Sequence, residues 1–307
     1  MAHVHSVCPL DCPDRCSLEV RVEEGRVLSI TGSRVNPITD GFICAKVRRF
    51  PERVYGKDRV LRPLRRTGRR GEGRFEPFPW DEALEVVARR LETIRKESGG
   101  EAILPVSYGG SNGLLTDGAW DARFFRLLGA SRLLRTVCAA PTGAAAQALY
   151  GRMASLDFPD FAQARFIILW GANPKDSNIH LMPYLKEARA RGARVAVIDP
   201  RRILGNGYAD MHLQVWPGSD GVVALAMIAH LERTGRIDRA FLEAHTTGWE
   251  RLLEAARAWP PERAATVARV PAGEIIALAD AYADAEPALV RCGWGLERNR
   301  NGEAAVA

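Results

Sequence analysis

The chain has 307 residues, 47% of them hydrophobic and 26% charged, with a formal net charge of +6 at pH 7. That length suffices for two domains with their own cores, and no apolar run is long enough to span a bilayer, so membrane insertion is not expected. The basic residues are mostly arginine and alternate with acids, as in Glu187-Ala188-Arg189-Ala190-Arg191; this describes a solvated mixed-charge surface, and without a basic stripe interleaved with aromatics no nucleic-acid partner is expected.

Residues Met1 to Val7 contain neither a twin-arginine motif nor an apolar export segment, which points to the cytoplasm. Cys8-Pro-Leu-Asp-Cys12-Pro-Asp-Arg-Cys16 follows at once, and Gly41-Phe42-Ile43-Cys44-Ala45-Lys46 supplies a fourth cysteine. Three thiolates spaced by four residues can converge from one loop, and a fourth from a distant turn closes a site suited to a 4Fe-4S cluster. Zinc is the rival reading, but zinc sites bring cysteines in close pairs. A disulfide framework suits small secreted domains and fits this chain poorly. Cys8, Cys12, Cys16 and Cys44 are thus the expected cluster ligands.

Between the cysteines, Leu18 to Val22 and Val27 to Ile30 alternate apolar and polar residues around Glu23-Glu24-Gly25-Arg26, the pattern of a β-hairpin. Residues 1 to about 62 therefore read as a small β-rich cluster domain. Arg62 to Pro79 has no apolar period and reads as a connection. A helix is predicted from Trp80 to Ser98, with Ala83, Leu84, Val87, Leu91 and Ile94 on one face and Gly99-Gly100 at its end. Ala102 to Val106 is a candidate buried strand, Tyr108 to Gly113 a glycine-rich loop, and Gly118 to Leu128 a further helix.

From there strands and helices alternate, which implies a parallel sheet covered by helices. The clearest unit runs from Ala164 to Trp170 as a strand, breaks at Gly171-Ala172-Asn173-Pro174, continues as a helix over about 178–190, and returns as the strand Arg194 to Ile198 before Asp199-Pro200-Arg201-Arg202. Glycine at one strand end and an acid at the next is a βαβ arrangement that can place a phosphate-bearing ligand beyond the carboxyl ends of the strands, although no Gly-x-Gly-x-x-Gly is present and NAD is a poor fit. A third strand, Met211 to Val215, leads through Trp216-Pro217-Gly218-Ser219-Asp220 into a helix from Val222 to Glu232 with Ser219 as its N-cap. Helices follow around 238–244, 249–259 and 271–283. A last strand at Ala288 to Arg291 precedes Gly293-Trp294-Gly295-Leu296-Glu297-Arg298-Asn299-Arg300-Asn301-Gly302.

Together the cysteine triplet with Cys44-Ala45-Lys46, Pro79-Trp80-Asp81-Glu82-Ala83-Leu84, Leu169 to Pro174, Val197 to Arg202 and Pro217-Gly218-Ser219-Asp220 give the chain a form that resembles the molybdopterin oxidoreductases of the dimethyl sulfoxide reductase family. The resemblance implies an α/β fold in which a small β-rich iron–sulfur domain precedes parallel-sheet, Rossmann-like dinucleotide-binding domains, with the C-terminal cap domain absent. The implied domains are 1–62 for the cluster, 63–135 with 286–307 as a first, discontinuous α/β domain, and 136–285 as a second that binds molybdopterin guanine dinucleotide. Two such dinucleotides and molybdenum or tungsten are the implied cofactors. Trp170, Gly171, Asn173 and Asp176 would approach one dinucleotide, with Asp199 and Arg201 at its guanosine end and Gly218, Ser219 and Asp220 closing over it.

In the family a lysine in the place of Lys46 lies between cluster and pterin. The metal's protein ligand falls in the region Arg135 to Gly143, where Cys138 offers a soft thiolate. Ala139 stands where formate dehydrogenases carry a histidine, which argues against formate. Cys292 and His180, His212, His230 and His245 read as structural. The implied activity is two-electron redox chemistry on a small-molecule substrate, with electrons passed through the cluster to an electron-transfer protein or to a subunit supplying the C-terminal half that family members carry. The alternative is a non-catalytic electron-relay or assembly subunit, or a truncated copy whose uncovered apolar surface leads it to associate.

Overall fold

Alternation of apolar and polar residues over 17–32 builds the first sheet. Strands β1 (Ala2–Val7), β2 (Ser17–Glu23) and β3 (Arg26–Gly32) are antiparallel in that spatial order. The predicted hairpin is β2–β3, turning through Glu24 and Gly25, both with positive φ, as a two-residue turn matched to strand twist requires. β1 was not expected: the segment ahead of Cys8 is laddered onto β2 from Ala2 opposite Val22 to Val7 opposite Ser17. The computed structural model describes residues 1–108, 120–153, 155–205 and 207–307, and these form two compact units, Met1–Arg135 and Thr136–Ala307.

In the first unit the inward side chains Leu18 and Ile30 pack with Cys16, Ile43 and Val47 as a small core. Helices α1 (Ala45–Arg48) and α2 (Phe50–Val54) follow the fourth cysteine. The expected connection at 62–79 holds a short hairpin, β4 (Leu64–Arg66) with β5 (Phe75–Pro77). Helix α3 (Trp80–Ser98) has the predicted bounds and stops at Gly99, whose φ of 82° a side-chain-bearing residue would resist. Leu84 and Val87 on its apolar face remain exposed. The candidate strand at 102–106 is not a strand. Ile103 is buried, but its carbonyl receives a single bond, from Ser131 N–H, and no strand ladder pairs with the segment among the described residues. The glycine-rich loop at 109–113 and the start of the next helix lie outside the described residues; the helix continues as α4 (Trp120–Leu127).

The second unit opens with α5 (Ala140–Tyr150) and α6 (Phe158–Gln163). A parallel sheet follows, built from β6 (Phe166–Trp170), β7 (Arg194–Ile198), β8 (Met211–Leu213) and β9 (Ala288–Cys292) in the order β8-β7-β6-β9. Its centre is apolar on both faces, which is why β6 and β7 read as continuous hydrophobic runs. Phe166, Ile168 and Trp170 face a core shared with α9 (Asp220–Arg233), α12 (Pro261–Ala268) and α13 (Ala272–Ala283). Ile167 and Leu169 face the opposite core, with α6 and α8 (Leu181–Ala190). The short α7 (Pro174–Ser177) leaves β6, and α10 (Arg239–His245), α11 (Trp249–Arg257) and α14 (Gly302–Val306) complete the unit.

The topology corrects one expected boundary. Residues 286–307 are expected with 63–135, but β9 pairs with β6 in register from Phe166 opposite Ala288 to Trp170 opposite Cys292, so they belong to the sheet of 166–213. β6 has β7 on one side and β9 on the other, so the chain reverses its direction of strand addition between β6 and β9. In such sheets the crevice for a ligand opens at that reversal, beyond the carboxyl ends of the strands.

Candidate functional site

The amino-terminal unit gathers its four cysteines. Cys8 N–H bonds to the Cys16 carbonyl at 2.9 Å, closing the loop that carries Cys12. The turn bearing Cys44 is tied to the same place: Asn36 accepts from the Ile38 and Thr39 amides and donates through Nδ2 to Ser17 Oγ at 2.8 Å, while Ser17 N–H donates to Thr39 Oγ1 at 3.0 Å. Cys44 then caps α1 at the start of Ala45-Lys46. Cys8, Cys16 and Cys44 pack in one apolar cluster with Leu10.

The sulfurs lie close enough to feel one another's charge. Burial holds the Cys8 thiol above its ordinary pKa, and charge on Cys16 or Cys44 raises it further. Burial pushes Cys12 up to about 11, with the charges of Asp14 and Cys16 acting in the same sense. None of the six cysteines forms a disulfide. Thiolates crowded into a half-buried loop need a compensating cation, and four cysteine sulfurs offered as ligands suit an iron–sulfur cluster or zinc. Lys46 lines an open cleft of about 880 Å³ with Leu10, Arg49, Phe50 and Arg59.

In the second unit the predicted residues occupy the carboxyl rim of the sheet, because Gly171, Asp199 and the 216–220 turn follow three neighbouring parallel strands. Gly171 has φ +56°, and a Cβ there would stand 2.7 Å from Leu296 Cδ1. Gly293 is tighter still: a Cβ would lie 2.2 Å from the Gly171 carbonyl oxygen. Gly293 N–H and Gly295 N–H donate to the carbonyls of Trp170 and Gly171, so the ends of β6 and β9 are joined backbone to backbone at the reversal point. Asn173 Nδ2 donates to Asp176 Oδ2 at 2.7 Å, and Asn173 Oδ1 is buried with no hydrogen-bond partner. An orphaned acceptor in a glycine-lined crevice fits a ligand that brings donors of its own.

Asp199 is buried, and its Oδ1 accepts from the Arg201 amide at 2.8 Å, leaving the Arg201 side chain in solvent. His212 Nε2 lies 3.1 Å from the Asp199 carbonyl, and His230 meets Asp280 at 2.8 Å, in keeping with structural roles. Gly218 accepts from Asn301 Nδ2 at 3.1 Å.

Two expected contacts are otherwise engaged. Trp170 Nε1, the only polar atom of that side chain, donates to the buried Asp220 Oδ1 at 2.8 Å. Ser219 is the N-cap of α9, but its hydroxyl donates back to the Trp216 carbonyl at 2.6 Å, because its turn conformation (φ −94°, ψ 4°) is not the extended one that side-chain capping uses.

Cys138 is half-buried, with φ +56°, just ahead of α5. Arg298 reaches its carbonyl at 3.4 Å, and Glu297, on the same turn, accepts a hydrogen bond from Thr142 Oγ1. Neither residue carries a role in the sequence analysis above. The available signal was two charged residues just after the Gly293-Trp294-Gly295 segment, where a glycine-rich turn approaches backbone closely.

Residues 1–56 match the family model described as the molybdopterin oxidoreductase Fe4S4 domain, and residues 59–307 match that described as molybdopterin oxidoreductase. The probable oxidoreductase YoaE of Bacillus subtilis is 35% identical over 97% of this chain and 44% of its own length. Dimethyl sulfoxide reductase DmsA of Escherichia coli is 29% identical over 99% of this chain and 42% of its own. The solved structure of acetylene hydratase from Pelobacter acetylenicus superposes with a TM-score of 0.77 at 27% identity, covering 98% of this chain and 42% of that one. The chain thus spans less than half the length of these relatives. No helix among the described residues is long and apolar enough to cross a membrane. With its four-cysteine loop decided in favour of iron by the Fe4S4 match, and its glycine-lined rim carried by the domain that follows, the chain belongs to the molybdopterin oxidoreductases of the dimethyl sulfoxide reductase family.

Proposed function

We propose that this chain supplies the cluster unit and one pterin dinucleotide-binding unit of a molybdopterin-dependent oxidoreductase acting on a small molecule. The observation that carries the reading is the β6–β9 reversal: backbone packed on backbone at Gly171 and Gly293, the orphaned Asn173 Oδ1, and a buried acid at the end of the neighbouring strand. In this reading Gly171 and Asn173 receive the dinucleotide, with Asp176 orienting the Asn173 amide. Asp199 accepts from the guanosine end, with its own loop held by the Arg201 amide. Gly218 and Ser219 shape the covering turn, while Trp170 and Asp220 brace it from beneath by satisfying each other.

When bound, the pterin-held molybdenum or tungsten supplies two-electron chemistry, and the 4Fe-4S cluster supplies one-electron relay. The protein's part is placement. Cys138 offers the metal a soft thiolate, Lys46 sets a positive charge two residues beyond the fourth cluster ligand, and Cys8, Cys12, Cys16 and Cys44 hold the cube. An acceptor protein takes the electrons onward.

The test is the sulfur shell of the heavy metal. X-ray absorption at the molybdenum or tungsten edge of anaerobically purified protein should show one fewer sulfur neighbour after Cys138→Ser, with a new oxygen-distance shell. A spectrum unchanged by the substitution removes Cys138 from the site.

A further inference from the structure

Helix α5 begins without a cap of its own. Its N-cap is Ala139, which has no side chain able to bond the free amides of the first turn, and the next positions are Ala140 and Pro141, the latter without an N–H. No acid lies in that first turn. What the helix lacks in sequence it receives from 155 residues away: Glu297 accepts from the Thr142 hydroxyl, and its carboxylate stands beside the Thr142 backbone N–H, which favours its charged form. Glu297 is itself only 6% exposed, and its second oxygen, Oε2, is buried with no hydrogen-bond partner.

A carboxylate buried so deeply costs free energy unless its bonds compensate, so a surface-type role does not account for it. The neighbouring Arg298 donates to the carbonyl of Cys138, a residue in the left-handed region that non-glycine residues adopt at a cost. The turn Leu296–Arg298 therefore grips both the amino end of α5 and the cysteine just ahead of it. Behind it the chain is fixed, because a Cβ at Gly302 would come within 2.8 Å of Glu297 Cα and because Leu296 is buried in the core beneath β6.

We propose that Glu297 is a positioning residue that caps α5 across the fold and thereby sets the place and reactivity of the Cys138 thiol. The importance of this for catalysis rests on the reading of Cys138 as metal ligand; the positioning itself does not. Burial shifts the Glu297 carboxyl upward, yet the bonds from Thr142 need only its acceptor oxygen. An amide can keep that oxygen, and a methyl group cannot.

The experiment follows the alkylation of Cys138 by iodoacetamide in the full chain, resolved by peptide mass spectrometry, with Cys292 as the internal reference. Glu297→Ala is expected to speed Cys138 alkylation roughly tenfold, the size of effect that loss of a helix cap has on local opening. Glu297→Gln should restore a rate within about twofold of the parent, since the acceptor survives. Thr142→Val, which removes the hydroxyl donor but not the amide, should give an intermediate increase and serves if Glu297→Ala does not fold.

An unchanged Cys138 rate in Glu297→Ala overturns the proposal, as does an equal rise at Cys292, which would mean general loosening. If Glu297→Ala does not fold, an unchanged Cys138 rate in Thr142→Val overturns it instead. The readout needs no heavy metal, so it stands apart from the X-ray absorption result. A cysteine that is positioned but does not ligate would fail that test and pass this one.

Discussion

Cys44→Ser is expected to strip the protein of iron: where the parent chain carries about four atoms after anaerobic purification, the variant should carry fewer than about one. The triplet at Cys8, Cys12 and Cys16 shares one loop, so it can offer three corners of a cube without reorganising. Cys44 arrives from a separate turn held by Asn36, Thr39 and Ser17, and only its sulfur links that turn to the cluster. The loss should extend beyond stoichiometry. The core of this sheet is Cys16, Leu18, Ile30, Ile43 and Val47, too little apolar surface for independent stability, so binding of the cluster is also folding energy. Limited proteolysis should cut the variant within 1–56 while the parent resists. Cys292→Ser, a half-buried position in the other unit, should leave iron unchanged. A Cys44→Ser chain that keeps the parent's iron would show that the fourth ligand lies elsewhere.

The second large effect belongs to Gly293. Alanine there would press its methyl carbon to 2.2 Å from the Gly171 carbonyl oxygen and 2.6 Å from Ala172 Cα. Both obstacles are backbone at the end of a strand buried on both faces, so neither can move without breaking the Gly293-to-Trp170 and Gly295-to-Gly171 hydrogen bonds. Overpacking of this kind is expected to cost roughly 3 kcal/mol. For a unit of this size that corresponds to about 6–12 °C in Tm, read by calorimetry of the second unit's transition. Pterin content should fall with it, because the displaced segment is the wall of the crevice. Gly273→Ala is the control: it lies in α13 with open space around it, and alanine favours helix, so stability should hold or rise slightly. A Gly293→Ala protein with parent-like Tm would mean that the β6–β9 junction is looser than described.

How far the sequence reveals this arrangement depends on whether the signal is local. Phe166 to Trp170 and Arg194 to Ile198 announce themselves because a parallel strand covered on both faces must be apolar throughout. The β2–β3 hairpin is legible in its alternation and in Glu24-Gly25, and α3 in its period and in Gly99. The misses are non-local. Ala102 to Val106 has strand-like composition, but a strand needs a ladder partner, and none pairs with it among the described residues.

β9 is legible as a strand but not its place in the sheet, since nothing within 288–292 says that its neighbour is 166–170. Helices α5, α6 and α12 are short, and α5 is rich in alanine without an amphipathic pattern, so periodicity had little to work on. The four cysteines of the cluster loop were legible because metal ligation is written in spacing. Glu297 was not, because its purpose appears only once Ala139 and Pro141 are seen to leave a distant helix uncapped.

Elemental analysis of the anaerobically purified protein, counting iron, zinc, molybdenum and tungsten per polypeptide, decides whether cluster and heavy metal are both held. About four irons are expected, with molybdenum or tungsten present and zinc absent. Zinc in place of iron, or iron with neither heavy metal, would contradict that expectation.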